Sequence, residues 1–427
     1  MNISILGAGI SGISCAYHLD SNKFNTKIFE AKSSWGGLLD NFVLDDEFIF
    51  DQFIHLSFTK NQYVKDTFAL GSDSISHNPV AYNLSNGKWI KHPAQFNIKP
   101  LELYEKFKIL KGFFNRKNNV SPTNYEEWLK FNYGKYFAEN YPIKYTKKYW
   151  TISPDKLTTD WLATRFKIPK FSEVLKGSIF NIKQNHYYAN EMRYPVQGGY
   201  KAYLKHMVKD LDIKLNKKVV EIDLNKKKLV FSDGSSEYYE KLISTIPLPE
   251  LINIIKDIPK NIKDSANKLL ATSGQLVSFG MNKFIKNKLW FYIYDEDFYP
   301  ARAWSPSEKS VNNVPKDKSS IQFETYYSKL KPKILEKDDL INHIIEKSEK
   351  YNIFKRDDIQ CVDYRELKYA NVIFNFDRKN NLEKVHSYLK KNNIGYCGRF
   401  GEWDYLWSDQ SFLSGKKISS KINNFRY

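Results

Sequence analysis

Gly7, Gly9 and Gly12, the carboxylate of Glu30, and the glycine pair Gly36-Gly37 are the residues of this 427-residue chain whose spacing points most directly to chemistry. A G-x-G-x-x-G turn between a short apolar run and a helical pattern binds a pyrophosphate. The first glycine makes the tight turn, the second lets the backbone approach the anion, and the third lets helix and strand pack closely. Ile3 to Leu6 reads as the strand and Ile13 to Leu19 as the helix, with Ile10 and Ser11 at the start of the helical segment beside the anion. A second strand, Thr26 to Phe29, ends at Glu30, about 20 residues beyond the turn, where an acceptor-only side chain takes both hydroxyls of an adenosine ribose. An uncharged 2′-hydroxyl is therefore expected there. Gly36-Gly37 supplies a further stretch of bare backbone for the opposite side of the pyrophosphate, with Ala31 and Leu38 as its neighbours.

Trp35-Gly36-Gly37-Leu38, placed after the ribose carboxylate, resembles the extended FAD fingerprint of amine-oxidase and nucleotide-sugar-mutase flavoproteins. Further along, Lys147, Trp150, Pro154 and Leu157 match a Lys-x-x-Trp-x-x-x-Pro-x-x-Leu run, and Gly398-Arg399-Phe400-Gly401 opens a closing Gly-Arg-x-Gly segment. In these features the chain is similar to the UDP-galactopyranose mutase family. The resemblance implies non-covalent FAD, active in its reduced form. It also implies Val219 against the adenine edge, and Gly398, Arg399, Leu406 and Trp407 around the flavin. His55 falls on the first histidine of the mutases' Gly-Pro-His-x-Phe-His segment, and His55 and Arg399 are the expected catalytic residues. Trp150, Arg165 and Tyr405 are expected at the substrate diphosphate. Arg165 matches the family arginine with a one-residue shift, and Trp403 and Trp407 replace a tyrosine and an aspartate of the family pattern. Arg302, expected on a loop after Tyr299-Pro300, is a second anion clamp because a guanidinium binds a diphosphate through two parallel hydrogen bonds.

The implied reaction is a redox-neutral interconversion of pyranose and furanose rings of a nucleotide-diphosphate sugar, serving surface-polysaccharide synthesis. In the mutases reduced FAD attacks the anomeric carbon through N5, so an external donor such as NAD(P)H is compatible with this reading. The same fingerprint also serves an amine-oxidase-like enzyme that takes a hydride from its substrate. A non-catalytic escort protein on this fold is a third reading. The intact glycine loops argue against it, since a protein without cofactor has no need of two bare phosphate-binding segments.

The elements that must position these residues imply an α/β fold. It consists of a discontinuous Rossmann-like FAD-binding domain (1–95, 181–250 and 391–427), an inserted helical domain (96–180) and an antiparallel-sheet substrate domain (251–390). Asn86-Gly87 signals a tight hairpin. Tyr141, Tyr145 and Tyr149 recur at helical spacing and read as the core face of one helix. Ile213 to Phe231 alternates as a hairpin, and after Tyr396 a glycine turn is expected to feed one helix running to about Ser420.

Lysine and arginine outnumber aspartate and glutamate 66 to 48, giving a net charge of +18 that favours anionic partners. The lysines are spread along the chain and no nucleic-acid motif accompanies them, so nucleic acid is not an expected partner. Cys15, Cys361 and Cys397 are too far apart for metal-ligand spacing, and no metal is expected. They fit a reducing cytoplasm, as does the absence of a signal-peptide pattern before Ile3. No apolar run is long enough to span a membrane, which leaves peripheral membrane contact open.

Overall fold

The strands that carry the glycine turns are apolar on both faces. Ile3, Ile5, Leu6, Ile28, Phe29, Leu242 and Ile243 are all buried, the pattern of a parallel sheet covered on both sides. The structure, a computed structural model, describes residues 1–45, 47–116, 121–162, 166–187 and 189–424. Its parallel sheet has five strands in the order Ile394–Tyr396, Lys241–Ser244, Asn2–Leu6, Asn25–Phe29 and Asp212–Lys214. The strands come from widely separated parts of the sequence, as the discontinuous reading requires.

Helix Ile10–Tyr17 follows the first strand and is backed by helix Ser408–Asn423. Two glycines allow this approach. A Cβ on Gly12 would lie 2.0 Å from the Gly7 carbonyl oxygen, and one on Gly415 would lie 2.3 Å from the Ser11 carbonyl oxygen. Any side chain there forces the layers apart.

A seven-stranded sheet forms the other wall of the molecule. Its order is Ile359–Leu367, Ser273–Met281, Ser319–Tyr327, Arg302–Trp304, Trp290–Ile293, Tyr82–Ser85 and Lys88–Lys91. All neighbours are antiparallel except Trp290–Ile293 with Tyr82–Ser85. The Asn86-Gly87 hairpin forms with positive φ at both turn residues, but it extends this sheet and not the parallel one. A turn signal fixes a local reversal and carries no information about which strand pairs beyond it. Arg302 begins a strand and is not on a loop.

The helical region consists of Leu103–Phe114, Tyr125–Tyr133, Lys135–Asn140, Pro142–Tyr149 and Phe171–Ile179, the fourth of which contacts strand Ser319–Tyr327 of the large sheet. The side chain of Asn124 caps the second of these, accepting from the Glu127 N–H at 2.9 Å, with Glu126 and Glu127 in its first turn. The expected single tyrosine face does not form. Tyr141 has φ −123° and ψ −85° because Pro142 restarts the helix, so only Tyr145 and Tyr149 share it.

Two further readings change. Asp212–Lys214 is the edge of the parallel sheet, and the hairpin comprises only Val219–Asp223 and Lys228–Phe231. The C-terminal helical stretch is two helices, Gly398–Glu402 and Ser408–Asn423, parted by Trp403 at φ 53°. No helix among the described residues is long and apolar enough to cross a membrane, and no group of three or more potential metal ligands occurs among them. All three cysteines are free.

A buried ion pair locks strand Phe48–Asp51 to the large sheet. Lys309 Nζ lies 3.4 Å from Asp51 Oδ2, with both side chains fully buried. Asp51 also accepts from the Tyr194 hydroxyl and the Tyr200 N–H, each at 2.8 Å, and Lys309 sits 3.5 Å above the Trp304 ring centroid. Burial raises the Asp51 pKa and lowers that of Lys309 to about 8, in each case against the pull of the partner. Breaking such a pair strands one charge. Lys309→Met should therefore destabilise the protein by about 3–5 kcal/mol in chemical denaturation, and the Asp51→Asn/Lys309→Met double variant should recover part of that loss.

Candidate functional site

The two glycine segments meet face to face. Gly36 donates to the Ala8 carbonyl at 2.8 Å, and Gly9 and Gly36 form an isolated parallel bridge. Gly9 itself is extended, and a Cβ there would meet nothing nearer than Gly37 Cα at 3.8 Å. Gly37 has φ +60°, and its Cβ would sit 3.0 Å from Gly9 Cα. Glu30 is fixed from both sides, accepting from the Ala8 N–H at 2.9 Å and the Lys32 N–H at 3.0 Å. Its remaining lone pairs are available to hydroxyl donors in the adjoining cleft.

That cleft has a volume of about 750 Å³. It runs from Gly7, Gly9, Glu30 and Gly37, past His55 and Leu406, to Tyr149, Trp150 and Arg302 between the helices and the large sheet. Ile10, Ser11, Gly36, Leu38, Arg399, Tyr405 and Trp407 also line it. Several expected site residues do not. Gly12 faces the Gly7 carbonyl, and Ala31 and Val219 lie outside the lining. Gly398 is buried behind Ser11 and spends its N–H on Ser414 Oγ at 2.8 Å, because the helix it starts is packed inward. Arg165 lies outside the described residues.

His55 sits midway along the cleft. Its Nδ1 is 3.1 Å from the Phe53 carbonyl, so Nδ1 carries the proton and Nε2 is an acceptor. Burial, reinforced by Lys309, Arg399 and Arg302, pushes its pKa well below the ordinary imidazole value. This favours the neutral ring. Arg399, the other expected catalytic residue, lines the cleft but turns its guanidinium toward backbone carbonyls. Its Nε and Nη2 donate to the Leu406 carbonyl at 2.9 and 2.7 Å, and Nη1 donates to the Ala370 carbonyl at 3.0 Å. It ties the Tyr405-Leu406 loop to the end of the large sheet, so its geometry is that of a positioning residue.

Arg302 is different. It lies opposite Glu324 in the strand pairing, its Nε donates to that fully buried carboxylate, and Nη2 donates to the Tyr326 hydroxyl at 2.9 Å. Burial opposes its charge, but Glu324 and the surrounding tyrosine hydroxyls outweigh this and hold its pKa well above the ordinary arginine value. The guanidinium packs 5.3 Å from the Tyr149 ring centroid. Tyr149 and Tyr405 meet through their hydroxyls at 3.4 Å, and Trp150 contacts the Tyr405 ring at 5.3 Å between centroids. Trp150, Arg302 and Tyr405 are thus brought together. Trp403, in contrast, is fully buried against Phe400 and Tyr369 and does not line the cleft.

Sequence reasoning missed Glu324, Tyr326, Tyr292, Lys167 and His186. Glu324 had a signal, an acid inside the β-rich run Ile321 to Tyr326, whereas the others had none. Of the residues described as lining the cleft, Glu30 is the only carboxylate, against Lys32, Lys167, Arg302, Lys368 and Arg399.

His92 also lines the cleft, donating from Nδ1 to Asn83 Oδ1 at 3.1 Å, and burial lowers its pKa to about 3. Between pH 6.5 and 3 the unfolded chain binds a proton that the folded chain refuses, so this group's contribution to stability falls as pH falls. Wild type should therefore lose about 1.4 kcal/mol per pH unit more than His92→Gln on acidification below pH 6.5, read from denaturant midpoints at successive pH values.

Comparison with solved structures places this architecture among known folds. A reduced UDP-galactopyranose mutase superimposes with a TM-score of 0.92 at 24% identity, over 99% of this chain and 95% of that one. A putative protoporphyrinogen oxidase from Exiguobacterium sp. 255-15 gives 0.76 at 15%, covering 99% and 98%. A putrescine oxidase with redesigned cofactor binding gives 0.66 at 13%, covering 99% and 98%. At these identities the likeness shows the fold alone. Residues 10–271, more than half of the chain, match the family model of flavin-containing amine oxidoreductases, and the chain belongs to that family.

Proposed function

We propose that this protein is an FAD-dependent mutase that interconverts the pyranose and furanose rings of a nucleotide-diphosphate sugar for surface-polysaccharide synthesis. The observation that carries the reading is the charge of the cleft. Beyond Glu30 at the nucleotide end, its described lining offers cations and aromatic hydroxyls and no carboxylate to pair with an ammonium substrate. Glu324 lies behind Arg302 and is already engaged by it. Such a lining suits a diphosphate.

The nucleotide end fits FAD. The bare backbones of Gly9 and Gly37 at the cleft wall leave room for a pyrophosphate to approach the turn, and Glu30 is placed for a ribose. When bound in reduced form, FAD supplies the nucleophile for the anomeric carbon. An external reductant such as NAD(P)H would prime it once. The protein's own residues bind and orient. Arg302 and Tyr405, with Trp150 beside them, hold the diphosphate, and Arg165 joins them by family resemblance. The aromatic walls exclude water, which strengthens each polar contact. His55 keeps its proton on Nδ1 and presents an acceptor at Nε2. The three free cysteines suit a reducing cytoplasm.

A second reading, hydride transfer from a C–N or C–C bond, is favoured by the family match itself. The two readings separate in one experiment. Enzyme reduced once under anaerobic conditions and given a panel of nucleotide-diphosphate hexoses should form many isomer molecules per flavin, followed by chromatography and NMR. Product limited to one equivalent per flavin, or carrying a new carbonyl or double bond, would establish redox chemistry instead.

Two variants test the placement of the ligands. Gly9→Val has a compatible backbone conformation and places a branched side chain at the cleft wall beside Gly37, so it should lose the flavin spectrum. Retention of full FAD occupancy would overturn the loop assignment. Arg302→Lys keeps a positive charge beside Glu324 but removes the planar fork. It should weaken nucleoside-diphosphate binding by about 1.5–3 kcal/mol in a titration, with FAD content unchanged.

A further inference from the structure

The helical region presents an apolar face that the other described residues leave exposed. On helix Leu103–Phe114, Leu103, Phe107 and Phe114 lie on one side at helical spacing, and Leu103 and Phe114 are 82% and 75% exposed. Helix Phe171–Ile179 packs alongside. Phe171 at its start meets Phe114 at 5.7 Å between ring centroids, while Gly177 near its end packs against the backbone of Phe96, upstream of the first helix. The two helices therefore run in opposite directions, and Leu175, Ile179 and Phe180 of the second continue the exposed surface of the first.

On the two helices four lysines stand against two acids, Glu105 and Glu173. Lys106, Lys108, Lys111 and Lys176 lie on the same two helices, and none has a carboxylate within ion-pair distance among the described residues. The neighbouring acids are already engaged: Glu102 pairs with Lys88, Glu105 accepts from the Tyr141 hydroxyl, and Glu173 accepts from the Lys170 N–H. Aromatic and aliphatic side chains flanked by unpaired lysines form the surface of a helix that lies in a membrane interface. The apolar groups enter the headgroup boundary, and the ammonium groups meet anionic lipid. Scattered exposed apolar residues need no explanation, but a continuous two-helix face does.

We propose that the face made by helices Leu103–Phe114 and Phe171–Ile179 docks the protein on an anionic lipid bilayer, in the plane of the interface and without spanning it. Binding is selective for anionic lipid because the lysines supply the attraction, and it needs the apolar side chains to persist once salt screens that attraction.

The test is co-sedimentation of the full-length, flavin-loaded protein with vesicles of phosphatidylcholine alone and of an equimolar mixture with phosphatidylglycerol. The wild type should bind the mixed vesicles at least about tenfold more tightly than the neutral ones. The Phe107→Ser/Phe114→Ser/Phe180→Ser variant should lose at least about tenfold in affinity for the mixed vesicles, with unchanged flavin content and melting temperature. The Lys106→Glu/Lys111→Glu/Lys176→Glu variant should abolish the preference for anionic lipid. Equal binding of the wild type and the serine variant would mean that overall charge alone adsorbs the protein, and would overturn the proposal. So would failure to bind mixed vesicles, or a wild-type dimer in analytical ultracentrifugation that the serine variant converts to monomer, which would assign the face to a second copy of the chain.

Discussion

The carboxylate of Glu324 draws the segment that carries His55 and the guanidinium of Arg302 to one point. It is fully buried in the large sheet, and it accepts from the Ile54 N–H at 2.6 Å, from Arg302 and from the Tyr326 hydroxyl. Ile54 belongs to the segment that carries His55 along the cleft, and Arg302 stands at the far end of it. An isolated carboxylate in that position would be too costly to keep ionised; three donors make it tolerable. The geometry of the site follows from satisfying that one charge.

The same economy governs the rest of the cleft. Its walls are rich in aromatic rings, so each charge must be held by the protein or pushed toward neutrality. Arg399 is held by carbonyl oxygens, Arg302 by Glu324, and His55 is kept neutral by burial. The site therefore combines a fixed cationic end with walls dominated by aromatic rings. This suits a protein whose part is to bind and shield while a cofactor carries the reactive electrons.

What was legible in the sequence was what is local. Gly7, Gly9, Glu30 and Gly36 announce themselves by spacing because turn, helix start and carboxylate belong to one short stretch. The hairpin at Asn86 was equally local, yet its membership of the large sheet depends on pairing with Trp290–Ile293, more than 200 residues away. Arg302 was visible as a residue type, but its partner was not, since strand register sets Arg302 opposite Glu324. The break at Tyr141 was readable from Pro142, and helical spacing of the tyrosines masked it. At Trp403 no local signal forecast a positive φ in a bulky residue, and that turn takes the indole away from the cleft.

The parallel sheet has a consequence in time as well as in space. Its central strand, Asn2–Leu6, leaves the ribosome well before the edge strand Ile394–Tyr396 and the helix that backs the glycine turn. Contacts of such sequence separation close a loop of nearly the whole chain before they contribute to stability. The glycine turn therefore emerges with its apolar underside uncovered and waits for Gly415 to be made and to pack against Ser11. A nascent chain of this protein can hold a finished large sheet and still lack the support its glycine turn needs.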